Sequence, residues 1–544
     1  MRPFGVSAEA EPQPTYVVEE AAPARNRVRV LAVGVFAVLL LLAGRAAQLA
    51  FAGDPLAAPR ASRAAVSLPR GDIVDRNGVL LATTVRAYAL TATPARVWDA
   101  PAIADALRRV FPDLDRETAI RRLTDTSRRL VYLRRGLTPD ERARVHDLGL
   151  AGVGFEAEHH REYPQGPLAA HALGFTDVDL NALSGVERGL DAEIRAAGAE
   201  GRAVRLSLDV RIQYALEEEL AAAARAANAS GGAAILLDGR TGETLALASW
   251  PAFDPNAAGA APANARRDRV AGDLHELGST IKPFTVAMAL QEQVTRSGEL
   301  FDLTTPYVVD NSTIRDHERI DGLATLGDVL AHSSNIGAAR LSVRLGGARQ
   351  RSYLDRLGLT SAATLELGRN QAPIAPQART RRDVAGLGFG YGLAATPAAL
   401  AGAYTVFAND GARVAPTLRA MAPDAPVERV PVFSPEVSRQ VLVYLRQVVT
   451  EGTGRAADAP GLLVAGKTGT AEKFSGAGYD DSRNFSSFAG VFPANDPRYV
   501  IVLALDDTGA GAAGGMVAAP AVSRTLRRIA PMLGLRVEAR APAR

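Results

Sequence analysis

Ser279 and Lys282 most clearly suggest covalent chemistry in this sequence, because a nucleophile and a base lie three positions apart. They belong to residues 278–283, which read GSTIKP. Proline is tolerated only in the first turn of a helix, so Pro283 predicts a helix that begins at about Ser279. The two side chains would share one face, and an amine with a lowered pKa can take the serine proton during attack on a carbonyl. A capped helix with a solvated lysine is the alternative for this segment alone.

A second polar segment lies about fifty residues downstream, where residues 333–335 read SSN. Leu/Ala-rich helical stretches flank it, which predicts a turn between two helices. From such a turn, Ser333 could relay a proton, and Asn335 could bind a peptide carbonyl or orient Lys282. An ordinary helix N-cap is the alternative for these residue types.

A third segment, residues 467–470, reads KTGT and follows an apolar, strand-like stretch. Side chains alternate along a strand, so Lys467 and Gly469 would face one side and Thr468 the other. Lys467 would attract a substrate carboxylate, and Thr468 or Thr470 would donate a hydrogen bond to it. A glycine here predicts close approach of a substrate backbone that adds itself as a further strand. The alternative is an edge strand blunted by lysine.

The elements that must position these groups form two regions. Residues up to about 202 mix strands and helices, with a hairpin predicted at Asn77-Gly78. Later residues predict one antiparallel sheet flanked by helices, an α+β fold. The main predicted elements are helices at 103–110, 116–123, 139–148, 210–227 and 519–533, a long helical stretch at 279–345, and strands at 233–237, 243–249, 462–471, 487–492 and 499–506.

Composition narrows the function classes. The 544 residues include 62 basic and 59 acidic side chains, so a net charge of +3 argues against a nucleic-acid partner. The absence of cysteine excludes disulfides and thiolate metal sites. We predict no metal, since the adjacent histidines His159 and His160 would point apart in regular structure. The basic run 266–269 predicts a solvated loop near the cleft.

The N-terminus predicts a membrane anchor. Residues 1–27 are rich in Pro, Ala and Glu and predict a flexible cytoplasmic leader, and 28–50 predict a transmembrane helix. Three arginines between residues 25 and 29 would keep the N-terminus inside the cell, and Arg45 would lie near the far interface. Residues 51–65 predict a linker. A cleaved signal peptide or a buried core helix is the alternative.

The three motifs in the order S-x-x-K, S-x-N and K-T-G resemble those of penicillin-binding proteins and serine β-lactamases. Segments 70–82, 161–166 and 185–191 further resemble the class B, monofunctional penicillin-binding proteins. The resemblance implies a serine transpeptidase/β-lactamase-like domain at 203–533 on an elongated, dimerisation-type pedestal domain at 66–202. Residues 534–544 would form a C-terminal tail.

The resemblance also implies an activity, the D,D-transpeptidation of peptidoglycan stem peptides through a serine acyl-enzyme, without a cofactor. β-Lactams would act as covalent inhibitors. The oxyanion hole would consist of the backbone N–H groups of Ser279 and Thr470. The remaining implied roles are catalysis by Ser279, Lys282, Ser333, Asn335 and Lys467, and substrate binding by Thr468, Gly469 and Thr470.

Within class B, residues 169–175 are most similar to the division-specific, septal type, FtsI. This implies a single-pass protein of the bacterial inner membrane, with its catalytic domain periplasmic at the division septum. Its partners would be a membrane glycosyltransferase of the FtsW type and other division proteins. An elongation-specific transpeptidase, a β-lactam-binding sensor or scaffold, and a β-lactamase or carboxypeptidase are the alternatives. Residues 275–277 read HEL where the family often has Tyr-Glu-Pro, which alters the wall of the cleft.

Overall fold

The structure is a computed structural model, and the chain divides into two units, residues 1–67 and 68–544. The first unit contains one described helix, α1 (Ala22–Ala52), which includes the predicted anchor segment. Within the described part of the chain, no helix has the length and apolar character that a membrane crossing requires. The structure describes residues 22–52, 69–474, 479–509 and 513–535, so parts of the predicted leader (1–21), linker (53–65) and tail (536–544) lie outside the described residues.

A five-stranded sheet organises the N-terminal part of the second unit. Its strands are β1 (Asp72–Val74), β2 (Leu80–Ala92), β3 (Val131–Leu137), β4 (Val153–Glu162) and β5 (Ala203–Arg205). The long strand β2 pairs antiparallel with β1, β3 and β4, and β5 pairs parallel with β1. The hairpin predicted at Asn77-Gly78 is confirmed, because the Asp75 carboxylate accepts hydrogen bonds from the backbone N–H groups of Asn77 and Val79, each at 2.8 Å.

Short helices cover this sheet and begin where the sequence supplies caps. Asp99 caps α2, Asp115 caps α3, and Thr138 forms a capping box with Glu141 at the start of α4. These three helices confirm the predictions for the region. The helices are α2 (Ala100–Val110), α3 (Arg116–Thr124), α4 (Pro139–His146), α5 (Ala170–Leu173), α6 (Gly185–Gly189) and α7 (Asp191–Ala199).

A buried cluster of charged side chains connects three segments of the N-terminal part. The Glu187 carboxylate accepts from Arg70 Nε at 2.9 Å and from Arg161 Nε at 2.7 Å, and all three side chains are almost completely buried. Removing one partner would leave an uncompensated buried charge, at a cost of roughly 3–5 kcal/mol. The cluster therefore fixes β1, β4 and α6 against each other.

The C-terminal part contains a second five-stranded sheet, antiparallel throughout, with strand order β16-β17-β18-β6-β7. Its strands are β6 (Gly231–Asp238), β7 (Thr244–Trp250), β16 (Ala465–Phe474), β17 (Tyr479–Phe492) and β18 (Tyr499–Gly509). The helices are α8 (Val210–Ala226), α9 (Lys282–Gln291), α10 (Leu326–Ala331), α11 (Asn335–Leu345), α12 (Gly347–Arg356), α13 (Arg381–Leu387), α14 (Pro397–Tyr404), α15 (Pro435–Thr450) and α16 (Gly514–Ile529). The short strands are β8 (His275–Glu276), β9 (Phe301–Asp302), β10 (Tyr307–Val309), β11 (Ser312–Ile314), β12 (Leu323–Ala324), β13 (Ala394–Ala395), β14 (Ala412–Arg413) and β15 (Val430–Pro431).

This sheet is buried on both faces. Alternate residues of β6 enter different cores, with Leu236 on the side of α8 and α16 and with Ile235 and Leu237 on the opposite side. Strands that are buried on both faces have nearly continuous apolar sequences. This explains why the positions of β6, β7 and β18 could be predicted closely from the sequence. The predicted α+β sheet with flanking helices is confirmed.

The prediction of a helical stretch at 279–345 is wrong in its middle. After α9 the chain forms two small antiparallel pairs, β10–β11 and β9–β12, before α10 begins. Residues 307–309 read YVV, which suits a strand, and Asp310, with a φ of +47°, lies in the turn between β10 and β11. The final helix also begins five residues before its predicted start, with Pro520 inside it rather than in its first turn.

Candidate active site

A tight turn presents Ser279 at the start of α9. Residues Gly278–Ile281 form a 3₁₀ turn, and Pro283 lies in the first turn of the helix, as predicted. Thr280 fixes the turn, because its hydroxyl donates to the Leu277 carbonyl at 2.6 Å and its carbonyl accepts from the Tyr404 hydroxyl at 2.8 Å. Tyr404 is completely buried in the core. The turn is therefore held from inside the protein.

Glycines allow the backbone to pack closely behind this turn. Gly278 has a φ of +51°, and Gly390 has a φ of +90°. A Cβ atom on Gly390 would lie 2.3 Å from the Gly278 carbonyl oxygen, and one on Gly278 would lie 2.9 Å from the Thr470 carbonyl oxygen. The main chain at Thr470 thus lies directly beside the turn that carries Ser279.

Four of the predicted side chains form one hydrogen-bond network. The Ser333 hydroxyl donates to Ser279 Oγ at 2.8 Å. The Lys282 amine lies 3.2 Å from Ser333 Oγ, 2.7 Å from Asn335 Oδ1 and 2.5 Å from the Ser333 carbonyl oxygen. The amine and the Ser279 hydroxyl are therefore connected through a single intervening oxygen.

The S-x-N segment is a turn between α10 and α11, as predicted. Ser333 adopts a left-handed conformation with a φ of +58°, which is uncommon for a residue with a side chain. Ser334 provides the N-cap of α11, since its hydroxyl accepts from Gly337 N at 2.9 Å. The N-cap alternative thus applies to Ser334, while Ser333 and Asn335 are directed to Lys282.

Burial makes Lys282 unusually acidic. Its side chain is completely buried, and this burial together with the positive charge of Lys467 holds its pKa well below the usual range. The carboxylate of Asp316 acts in the opposite direction. Burial also lowers the pKa of Lys467 to about 7. A neutral Lys282 amine is a competent proton acceptor, so the site is arranged for a base at this position.

Asp316 is a site residue that sequence reasoning missed. Its carboxylate accepts from Ser334 Oγ at 2.7 Å and from the backbone N–H groups of Asn335 and Ile336 at 2.5 and 2.9 Å. It therefore anchors the start of α11 and holds Asn335 in place. Asp316 lies in a segment that was predicted to be helical, and only the tertiary fold brings it to the turn.

Lys467 and Thr468 lie on β16, at the edge of the sheet. The Lys467 amine lies 3.3 Å from Thr468 Oγ1 and 3.5 Å from Thr453 Oγ1, and the two threonine hydroxyls are 2.8 Å apart. Thr453, which follows α15, is a second residue that sequence reasoning missed. Lys467 and Thr468 were predicted to face opposite sides of the strand. This is wrong for the end of the lysine side chain, which bends towards the Thr468 hydroxyl.

The glycines of the K-T-G strand have a packing role that sequence reasoning did not identify. A Cβ on Gly469 would lie 2.8 Å from Thr280 Cγ2, and one on Gly466 would lie 2.5 Å from the ring of Phe488. Both glycines thus allow packing within the protein. Thr470 accepts a hydrogen bond at its hydroxyl from Gly514 N at 3.1 Å, which joins the strand to α16.

Comparison with known families supports the interpretation of these motifs. A family model described as "Penicillin binding protein transpeptidase domain" matches residues 232–527, more than half of the chain. A second model, "Penicillin-binding Protein dimerisation domain", matches residues 65–195. The chain belongs to the penicillin-binding protein family.

Individual relatives of this penicillin-binding protein agree. It is 41% identical over 483 residues to a probable peptidoglycan D,D-transpeptidase FtsI of Caulobacter vibrioides, with 86% of this chain and 82% of that protein covered. It is 34% identical over 490 residues to the peptidoglycan D,D-transpeptidase FtsI of Escherichia coli K12, with coverages of 84% and 82%. The predicted resemblance to a class B, FtsI-like penicillin-binding protein is confirmed.

A solved structure shares the fold. Penicillin binding protein 3 of Mycobacterium tuberculosis, crystallised with aztreonam, superposes with a TM-score of 0.68 at 26% identity, covering 87% of this chain and 98% of that one. The two-domain, mixed α/β architecture of the family is therefore present here.

Proposed function

We propose that this chain is a peptidoglycan D,D-transpeptidase of the septal, FtsI type. The observation that carries the proposal is the contact of Ser279 Oγ with Ser333 Oγ at 2.8 Å, with the buried Lys282 amine 3.2 Å beyond. The similarity to curated FtsI proteins supports the same reaction.

In the proposed acylation, Ser279 Oγ attacks the carbonyl of the penultimate D-Ala of a stem peptide. For this step the Ser279 hydroxyl rotates to donate to Ser333 Oγ, and the Ser333 hydroxyl rotates to donate to Lys282 Nζ. The proton then passes through Ser333 Oγ to the neutral Lys282 amine as the oxygen–carbon bond forms. The bond to the terminal D-Ala then breaks, and the proton leaves with its nitrogen. An amine of a neighbouring stem peptide next attacks the ester and gives up one proton. That proton is delivered to Ser279 Oγ through Lys282 and Ser333 as the ester bond breaks and the cross-link forms.

Substrate binding in this proposal uses the edge of the C-terminal sheet. The stem peptide would lie along β16 as an added strand, a common mode of peptide recognition. Lys467 and the hydroxyls of Thr468 and Thr470 would bind its terminal carboxylate. The backbone N–H groups of Ser279 and Thr470 would bind the oxyanion, which the close approach of the Thr470 backbone to the Gly278 turn supports.

The cellular setting belongs to the same proposal. Residues 28–50 would anchor the protein in the inner membrane, with a pedestal domain at 66–202 and a transpeptidase domain at 203–533 outside the cytoplasm. The apolar run and the arginines before it support this arrangement. A membrane glycosyltransferase of the FtsW type would supply the glycan strands at the septum, and other division proteins would recruit the enzyme.

Covalent labelling with a fluorescent penicillin tests the proposal. The wild-type protein should be labelled, and Ser279→Ala should not, while Ser352→Ala, the same change on the exposed face of α12, should label normally. Persistent labelling of the Ser279 variant would overturn the nucleophile assignment. Cross-linked muropeptides should form when the protein is combined with the glycosyltransferase and lipid-linked precursor. Depletion that produces rounded cells instead of filaments would favour the elongation alternative.

A further inference from the structure

A cavity of about 460 Å³ lies between the N-terminal and C-terminal parts of the second unit. The N-terminal part contributes residues between 170 and 188, and the C-terminal part contributes segments near 253, 266–273 and 367–371. Its lining includes none of the side chains of the Ser279 network. The volume is in the range of small-molecule sites, roughly 300–1,000 Å³.

Positive charge dominates the lining of this cavity. Arg188, Arg266, Arg267 and Arg369 all line it. Within the ranges that the structure describes, Arg267 pairs with Asp273, whereas the other three guanidinium groups make no ion pair with a carboxylate. The Nε atom of Arg266 is buried and has no hydrogen-bond partner in the described structure. Buried donors are normally satisfied, so this N–H is available to an acceptor that enters the cavity.

The acidic groups of the lining are already engaged. Asp273 accepts from Arg267 Nε at 2.5 Å and from the buried Arg269 at 3.0 Å, so two arginines share its charge. Asp268 accepts from the backbone N–H groups of Val270 and Ala271 at 2.9 and 3.3 Å. Arg269 is almost completely buried, so the prediction of a solvated loop at 266–269 is wrong for this residue. Three arginines therefore remain for an external anion.

We propose that this cavity is a binding site for a phosphate-bearing anion, held by Arg188, Arg266 and Arg369. A guanidinium presents its donors in a planar fork that fits phosphate oxygens in pairs, and several unpaired forks around one cavity suit an anion with more than one charge. The source of the phosphate is a soluble metabolite or the headgroup of an anionic lipid, which share this chemistry.

Such a ligand would join the two parts of the unit. Arg188 comes from α6 of the N-terminal part, whereas Arg266 and Arg369 belong to loops of the C-terminal part. Direct polar contacts already cross this junction, such as Tyr163 N to Asn256 Oδ1 at 2.9 Å. A bound phosphate would add charge-assisted contacts to both sides, and so would stabilise the junction against opening.

The test uses the full-length protein in a non-ionic detergent at constant ionic strength. Sodium pyrophosphate is titrated, and the midpoint of thermal unfolding is recorded, with sulfate as a control anion. The variant Arg188→Ala/Arg369→Ala removes two of the three guanidinium groups, and Arg266→Gln removes the third. The matched control is Arg225→Ala/Arg381→Ala, two arginines of the C-terminal part outside the cavity lining. Penicillin labelling of every variant reports that the catalytic part is folded.

We expect pyrophosphate to raise the unfolding midpoint of the wild type and of the control variant. Each cavity arginine that is removed should weaken binding roughly tenfold. Nanodiscs with phosphatidylglycerol, compared with phosphatidylcholine, distinguish the source: stronger protection in the anionic discs assigns a lipid headgroup, and equal protection assigns a soluble phosphate. No shift with pyrophosphate, an equal loss in the control variant, or a stronger response to hexaglutamate than to pyrophosphate would overturn the proposal.

Discussion

Replacing Ser333 with alanine removes one oxygen from the centre of the site and leaves its neighbours in place. The Lys282 amine would keep its contacts with Asn335 Oδ1 at 2.7 Å and with the carbonyl oxygen of residue 333 at 2.5 Å. Alanine tolerates the left-handed backbone no better than serine, so no backbone strain is relieved. The substitution therefore separates proton transfer from the positioning of the base.

The expected magnitude follows from that separation. The hydroxyl lies 2.8 Å from Ser279 Oγ and 3.2 Å from Lys282 Nζ, which makes it the connection between nucleophile and base. Positioned proton transfer contributes about 10²–10⁴-fold in rate. We expect acylation by penicillin to slow by a similar factor, equivalent to roughly 3–5 kcal/mol of activation free energy. The free energy of unfolding should fall by only about 1–3 kcal/mol, since the two hydrogen bonds of the Ser333 hydroxyl, to Ser279 and to Lys282, are lost.

Stopped-flow acylation over a range of penicillin concentrations is the appropriate assay, since it resolves the dissociation constant of the initial complex from the acylation rate constant. Only the rate constant should fall in Ser333→Ala, and Ser352→Ala should match the wild type in both. An acylation rate constant within about threefold of the wild type would refute a proton path through Ser333, because a change this small lies far below the usual contribution of general base catalysis.

Two further predictions concern the strand side of the site. The pKa of Lys467 is lowered to about 7 in the folded protein, so between pH 7 and about 10 only the unfolded chain binds this proton. Lys467 alone should therefore make the free energy of unfolding rise with pH in this range, by about 1.4 kcal/mol per pH unit. Denaturant titrations should show a smaller rise in Lys467→Met, and an unchanged slope would contradict the burial argument. Thr453→Val removes the hydroxyl 2.8 Å from Thr468 Oγ1. It should weaken the initial penicillin complex roughly tenfold with little effect on the acylation rate constant, whereas the reverse pattern would place Thr453 in the chemical step.

The polar motifs could be recognised from the sequence because each combines a local structural signal with a chemical one. Pro283 fixed the start of α9, and helical stretches on both sides fixed the turn at Ser333. The sequence suggested Ser333 as a proton relay but could not place its hydroxyl between Ser279 and Lys282, since that position depends on the left-handed backbone at residue 333. Asp316 and Thr453 were missed because their contacts are tertiary and no periodic pattern marks them.

The fold prediction was likewise accurate where the signal was local and inaccurate where tertiary contacts decide the structure. Strands buried on both faces, such as β6 and β18, are apolar runs and were located closely. The region between α9 and α10 was misjudged, because its short strands are set by pairing with each other and carry too few residues for a period to emerge. The start of α16 was misplaced since Gly514 begins that helix through its contact with Thr470, which overrides the weak helix propensity of glycine.

The contact of Gly390 with the Gly278 turn bears on how this enzyme could escape inhibitors. Any side chain at Gly390 would collide with main-chain atoms of residue 278, the nearest at 2.3 Å. The turn cannot shift to relieve this collision, because the Tyr404 hydroxyl is hydrogen-bonded to the Thr280 carbonyl. Resistance substitutions that preserve cell-wall synthesis must therefore arise at positions other than this buried glycine. An inhibitor group placed against the half-buried backbone of the Gly278 turn would meet a surface whose support at Gly390 mutation cannot readily change.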